Sequence, residues 1–239
     1  MKRILLVAIL MVACIGSASA QSKWSYKLGF GGAYKSGNVN SMTITNNGGI
    51  DRNDSLLAFS ADYSIVYGEK DQVMYDKGLT ASMKFDIWQY DRWSPFVSAS
   101  YINNKFKGYE YKNSFLAGVK YRIYWNKMCD YSVSAAYVFD YVEYVKGATL
   151  DPQVSRVSMR FKMRQKITDA VTLKHTTFYQ PSLKDFGGDY IVTSITSLDT
   201  KLTSHLTFGI NFNYEYRSLV PDGIQKQDIA TTASLNLTF

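Results

Sequence analysis

Apolar and polar side chains alternate with a period of two along almost the whole chain beyond residue 23. This period is typical of a β-strand that has one apolar face and one polar face, and no segment shows the period of a helix. The segment near 205–217 illustrates the pattern, because polar residues and glycine separate all of its apolar residues. Its apolar face carries Leu206, Phe208, Ile210, Phe212, Tyr214 and Tyr216.

Twelve segments of this kind follow one another. Most have ten residues or more, whereas strands of soluble sheets usually have about five or six. Ten residues is the length that a tilted strand needs to cross a bilayer. The alternation therefore predicts an all-β fold, a transmembrane antiparallel up-and-down β-barrel of 12 strands. The predicted strands lie near 24–34, 41–51, 56–68, 72–87, 93–103, 109–124, 129–142, 154–165, 171–181, 189–200, 205–217 and 228–239.

The connections between these segments alternate in length. Those after the even-numbered strands are tight turns, such as Arg52-Asn53-Asp54 and Thr168-Asp169. Three connections after odd-numbered strands are clearly longer, at 143–153, 182–188 and 218–227. Outer-membrane barrels have short periplasmic turns and longer outer loops. This parity favours a barrel with both chain ends in the periplasm over a soluble sandwich.

The first twenty residues have the composition of a secretory signal peptide. Lys2 and Arg3 precede an apolar stretch at 4–15, and Ala18-Ser19-Ala20 is a typical cleavage site. We therefore expect a signal peptide at 1–20 and one barrel domain at 21–239, exported to the bacterial outer membrane. Lipoprotein cleavage before Cys14 is an open alternative. Once the leader is removed, Cys129 is the only cysteine, so no internal disulfide is expected.

Two further patterns fit a membrane barrel. The last strand alternates up to a terminal Phe, with Leu235, Leu237 and Phe239 on one face, as in the signal that the barrel insertion machinery reads. Aromatic residues also gather where strands end, which predicts two girdles at the headgroup layers. The expected girdle residues are Trp24, Trp88, Tyr90, Trp93, Tyr109, Tyr124, Trp125, Tyr141, Tyr144, Tyr179 and Tyr190.

Three short motifs carry a family resemblance. They are Ser36-Gly37-Asn38, the stretch Phe106-Lys107-Gly108-Tyr109-Glu110-Tyr111-Lys112, and Pro221-Asp222-Gly223 before a Thr-rich final strand. With them the chain resembles the YdiY-like family of salt-induced outer-membrane proteins, a domain of unknown function. The resemblance implies an outer-membrane β-barrel and brings no catalytic residues. Independently of it, Gly37-Asn38 and Gly108 suit positive φ angles in tight connections.

The sequence offers little material for catalysis. His175 is expected on the outward face and His205 at a periplasmic turn, and neither has a plausible Ser or Asp partner. No zinc spacing or phosphate loop is present, so we expect no cofactor and no enzyme activity. An outer-membrane lipid-modifying enzyme is a remote alternative. Asp185 and Asp189 could bind a divalent ion, although a polar turn is the simpler interpretation.

Strand eight carries the most informative charges. Arg156, Arg160, Lys162 and Arg164 share its polar face, and Lys174 of strand nine is expected beside them. An exposed cation at mid-bilayer costs about 2 to 4 kcal/mol, so these five residues, termed the basic ladder, should face the lumen. With only Asp130 and Asp140 as expected partners, a basic lumen would favour anions. Alternatively, Asp62, Asp76 and Asp86 reach across and neutralise the ladder.

Two functional hypotheses follow. The first is a barrel with a structural or envelope role, or a narrow channel, and the second is an anion-selective solute channel with a basic lumen. The net charge is +7 for the full chain and +5 once Lys2 and Arg3 leave with the leader, which fits an exported chain that meets anionic lipid and polysaccharide, without nucleic acid as a partner. Expected partners are outer-membrane lipids and lipopolysaccharide, the insertion machinery and small anionic solutes.

Overall fold

The computed structural model describes residues 24–35, 41–146 and 150–239. Twelve strands form, and each bound lies within two residues of its predicted position. The signal peptide, the Cys14 alternative and the Ser36-Gly37-Asn38 hairpin lie outside the described residues. The strands are β1 Trp24–Lys35, β2 Ser41–Arg52, β3 Leu57–Lys70, β4 Val73–Ile87, β5 Trp93–Asn104, β6 Tyr109–Trp125, β7 Cys129–Tyr144, β8 Gln153–Lys166, β9 Val171–Pro181, β10 Tyr190–Lys201, β11 Leu206–Arg217 and β12 Gln227–Thr238.

The strands form a closed antiparallel barrel. Each strand pairs with its neighbours in the chain, and β1 closes the ring by pairing with β12 from Lys27–Thr238 to Gly32–Ala233. The backbones of Tyr26 and Phe239 exchange two further hydrogen bonds of 3.0 Å at this seam. Closure satisfies backbone groups that a free sheet edge would expose to lipid. The predicted transmembrane fold is confirmed. In the described part of the chain, no helix is long and apolar enough to span a bilayer.

The two faces of the barrel differ as the alternation predicts. On β7, Ser132, Ser134 and Asp140 are buried on the inner face, whereas Val133 and Tyr137 are exposed on the outer face. Large apolar side chains cover the outside of the barrel on every strand pair, where lipid replaces water as the solvent. The register of each pair then assigns every strand residue to the lumen or to lipid.

The connections confirm the predicted asymmetry. The longer connections, 145–152, 182–189 and 218–226, join strands at one end of the barrel, and the connections 53–56, 88–92, 126–128, 167–170 and 202–205 are short turns at the other. Trp24 and Phe239 lie with the short turns, the end that faces the periplasm in outer-membrane barrels. Before β6, a 3-10 turn at Lys105–Lys107 ends on Gly108, whose φ of 87° is the predicted positive angle.

Aromatic rings form a group at each end of the outer face. Trp24 and Phe59 lie near the periplasmic turns, with ring centroids 6.2 Å apart. Tyr190 and Tyr216 lie near the outer loops, with centroids 5.8 Å apart. Tyr109 and Tyr144 are not girdle residues as expected, because both face the barrel mouth, where their ring centroids lie 6.1 Å apart. The β-bulge after Tyr109 displaces it from the regular alternation.

Candidate functional site in the lumen

The outer end of the lumen is spanned by side chains from strands that are far apart in the ring. Arg217 on β11 donates to the carbonyl oxygen of Lys107 at 2.6 Å and to the hydroxyl oxygen of Tyr109 at 2.7 Å. The Lys107 amine lies 3.4 Å from Glu215 and 3.7 Å from Asp228. Four strands, β7 to β10, lie between β6 and β11 on the shorter side of the twelve-strand ring, so these contacts cross the mouth.

A second group of charges lies beside the first and is buried more deeply. Asp140 accepts from Lys112 at 2.9 Å and lies 3.4 Å from Arg156. Arg156 also binds both carboxylate oxygens of Asp189, at 2.9 and 3.0 Å. These contacts matter because a buried charge without a partner costs several kcal/mol. We call the two groups the mouth cluster. It comprises Lys107, Tyr109, Lys112, Asp140, Arg156, Asp189, Glu215, Arg217 and Asp228.

The outer loops pack over the mouth cluster. A Cβ atom at Gly108 would lie 3.0 Å from the ring of Pro221, so the close approach of these loops requires glycine at that position. The cavity between Tyr109, Arg217 and Pro221 measures about 20 Å³, space for roughly one water molecule.

A further contact joins two of the outer loops. Asp151 accepts from the backbone N–H of Gln153 at 3.1 Å and from the Lys184 amine at 3.2 Å. The Gln153 N–H, followed by Lys184, holds the pKa of the Asp151 carboxyl below its ordinary value. This contact links loop 145–152 to loop 182–189.

The register directs all five basic-ladder side chains into the lumen, where they fall into two classes. Arg156 belongs to the mouth cluster, and the Lys174 amine lies 2.7 Å from Asp199. Arg160, Lys162 and Arg164 have no carboxylate within 4.0 Å among the residues that the structure describes. Lys162 is exposed, so water reaches the lumen at its level.

The expected partners of the ladder are only partly correct. Asp140 contacts Arg156, but Asp130 forms its ion pair with Arg122 of β6, at 2.6 Å. The carboxylates of the neutralisation alternative do not form ion pairs with the ladder. Asp86 binds Lys84, and Asp76 accepts from the Asn104 amide at 2.9 Å. Asp62 has no ion pair with the ladder either.

Arg160 contacts two aromatic rings inside the lumen. Its guanidinium carbon lies 5.5 Å from the ring centre of Phe96 and 5.9 Å from that of Phe178. The Lys84 amine lies 4.8 Å from the ring centre of Phe96. All three distances are within cation–π range. Gly118 and Ala136 occupy the paired positions between β5 and β8, and their short side chains leave room for Phe96 to reach Arg160.

Sequence reasoning missed several of these lumen residues. Lys84 lies two residues before Asp86 on β4, and Phe96 of β5 is the register partner of Asp86. All three side chains therefore point to the inner face. The contact of Phe96 with Arg160, three strands away, has no local signal in the sequence. The same is true of Arg217, whose partner Tyr109 was expected at the lipid boundary.

The described residues offer no catalytic constellation. His175 lies on the outer face, where its two ring nitrogens contact the hydroxyls of Thr196 and Thr177 at 2.9 and 2.8 Å. Asp189 is engaged by Arg156, and Asp185 accepts from the N–H of Gly188, so this pair forms an ordinary loop contact. No group of three potential metal ligands occurs in the described ranges.

The residues of the expected insertion signal lie along the closing seam. Leu235, Leu237 and Phe239 share the outer face of the last strand, and Phe239 is 46% exposed. The ring of Phe239 stacks on that of His205, with centroids 6.0 Å apart.

Comparison with known proteins supports the same architecture. A family model described as "Protein of unknown function, DUF481" matches residues 28–239. The translocator domain of autotransporter NalP from Neisseria meningitidis is similar with a TM-score of 0.52 and 12% identity, over 100% of this chain and 95% of that one. The NanC porin is similar with a TM-score of 0.54 and 11% identity, over 90% of this chain and 98% of that one. No curated protein sequence is similar to the chain. The likeness shows an outer-membrane type of β-barrel fold.

Proposed function

The chain belongs to the DUF481 family, whose model matches residues 28–239, and we propose that it acts as an anion-preferring channel in the bacterial outer membrane. One observation carries the proposal: Arg160, Lys162 and Arg164 line one strand of the lumen without a carboxylate within 4.0 Å in the described part of the chain. Pores select anions by means of Arg or Lys side chains that line the lumen.

The electrostatics of a narrow lumen strengthen this preference. Charges that line a cleft with walls of low dielectric focus the field and raise the local concentration of counter-ions. Lys162 is exposed and the Lys174 side chain is 52% exposed, so this part of the lumen is hydrated. Anions entering from the periplasmic end would therefore meet a positive potential that the nearby carboxylates do not cancel.

A closed barrel with a structural role is the second candidate, and the mouth cluster favours it. Arg217 binds groups on the opposite side of the ring. Leu219 and Pro221 of loop 218–226 pack beside these contacts. A lumen that stays blocked there conducts nothing. An enzyme is not proposed, since the histidines lack the partners that nucleophilic catalysis requires.

Planar-bilayer recording of the refolded full-length mature chain tests the channel. In a gradient of potassium chloride, the zero-current potential should indicate preference for chloride. Arg160→Glu combined with Arg164→Glu should abolish or reverse that preference. The matched control is Lys146→Glu with Lys184→Glu, an equal change of net charge at exposed loop residues, which should leave the selectivity unchanged.

Each result has a defined meaning. Cation preference in the wild type, or selectivity that ignores the two ladder substitutions, would contradict the proposed anion channel. A correctly folded barrel that never conducts would instead support the structural candidate.

A further inference from the structure

We propose that Arg160 is the centre of a binding site for oxyanions, such as the carboxylate or phosphate group of a solute in the lumen. The inference rests on the proposed function, because a solute reaches Arg160 only through the lumen. The site, termed the Arg160 cluster, comprises Lys84, Phe96, Lys120, Arg160, Lys162 and Phe178.

The first argument is the free hydrogen-bonding capacity of Arg160. A guanidinium has five N–H donors and no acceptor. In the described part of the chain, no carboxylate, carbonyl or hydroxyl oxygen accepts a hydrogen bond from Arg160, and no ion pair includes it. Arg156 and Arg217, by contrast, donate to several protein oxygens. Arg160 therefore keeps its donors available for a ligand.

The second argument is that Arg160 is held in position. The aromatic rings of Phe96 and Phe178 contact its guanidinium, and Phe96 is only 5% exposed. A cation–π contact fixes the guanidinium without consuming its donors. Since Arg presents two parallel donors in a rigid fork, a fixed Arg is prepared to bind an oxyanion through two hydrogen bonds. Chloride is a single acceptor atom, whereas a carboxylate or phosphate offers two oxygens to the two parallel donors, so the geometry favours oxyanions.

The third argument is the local charge. Asp86 is the carboxylate nearest to the cluster, and it binds Lys84 through one oxygen. Its other oxygen is 4.0 Å from the Lys120 amine and has no hydrogen-bond partner among the described residues. The charges of Lys84 and Lys120 act on Lys162 together with that of Arg160. The Asp130 carboxylate also acts on Lys162. Four cations thus share two carboxylates, and a bound oxyanion would relieve their remaining mutual repulsion.

Calorimetric titration of the refolded protein in detergent tests the site. The probes are inorganic phosphate and, in a separate series, acetate, both at constant chloride concentration. We expect at least one of them to bind the wild type. Arg160→Lys keeps the charge but loses the fork and the ring contacts, so its affinity should fall about tenfold or more.

The matched control is Arg164→Lys, the same change at a ladder residue without an aromatic contact, which should alter the affinity less than twofold. Faster gel migration of unboiled samples verifies that each variant is folded. Failure of both probes to bind the wild type would overturn the proposal. Unchanged affinity in Arg160→Lys, or an equal loss in both variants, would overturn it as well.

The proposed channel and the oxyanion site can fail separately. The barrel could conduct anions selectively while its affinities for phosphate and acetate are unchanged by Arg160→Lys. That result would refute the site and leave the channel. Binding that depends on Arg160 in a barrel that never conducts would refute the channel and support the site.

Discussion

Individual buried charges decide how the outer mouth is built. Asp140 is 2% exposed and lies between Lys112 and Arg156, whose side chains are also largely buried. Arg217 is 3% exposed and depends on the Lys107 carbonyl and the Tyr109 hydroxyl for its hydrogen bonds. Removing one partner from such a group leaves the other charge buried without compensation.

Asp140→Ala should therefore lower the free energy of unfolding by about 3 to 5 kcal/mol, since Lys112 loses its carboxylate partner. Urea titration of the barrel in lipid vesicles measures the change. The control is Asp228→Ala, because the Asp228 side chain is 44% exposed and its contacts are 3.7 and 3.8 Å long. This control substitution should lower the free energy of unfolding by less than about 1 kcal/mol. An equal loss of unfolding free energy in the two variants would show that burial of Asp140 does not make its ion pair more important for stability.

At the scale of the element, the last strand performs two tasks. It pairs with β11 along Leu206–Leu237 to Tyr216–Gln227, and it closes the ring against β1 over the shorter run from Lys27–Thr238 to Gly32–Ala233. Its outer face also carries Leu235, Leu237 and Phe239, the residues of the expected insertion signal. The terminal residue takes part in the seam through backbone hydrogen bonds to Tyr26.

Phe239→Ser should lower the yield of inserted barrel several-fold and leave export of the precursor intact. The substitution removes the terminal aromatic ring but keeps the backbone that pairs with Tyr26. Membrane fractionation with an unboiled gel measures insertion, and leader cleavage measures export. The control is Phe186→Ser, an exposed ring in loop 182–189. An insertion yield equal to that of the wild type would make Phe239 an ordinary strand end.

At the scale of the whole molecule, ring closure determines how the protein behaves in detergent and in the cell. Every strand has a partner on each side, and the outer face is apolar along the barrel. A closed ladder has no free edge at which unfolding or aggregation can begin. Most polar groups of the barrel face the lumen, where the mouth cluster joins opposite sides of the ring.

The mature chain should consequently fractionate with the outer membrane. In detergent gels, unboiled protein should migrate faster than boiled protein, because the closed ladder resists unfolding. Both properties can be read from a single fractionation experiment with paired samples. Complete recovery in the soluble periplasmic fraction would contradict the membrane placement.

The sequence by itself was sufficient for the strands and their faces. Alternation is a local property, so the twelve strand bounds and the inward direction of Arg160, Lys162 and Arg164 followed from it. The lengths of the connections could also be predicted from the sequence. They indicated that Trp24 and Phe239 lie at the end of the barrel with the short turns. The resemblance to the YdiY-like family stays a prediction, because the family that is shown is DUF481.

Only the tertiary structure decided which charges meet inside the barrel. Asp130 pairs with Arg122, and Lys174 pairs with Asp199, although the sequence favoured neither combination. Phe96 reaches Arg160 across two intervening strands, and Arg217 reaches Tyr109 across four. Such contacts depend on strand register, on the curvature of the closed ring and on side-chain length. Because alternation repeats every two residues and is silent about distances across the lumen, no local pattern could specify them.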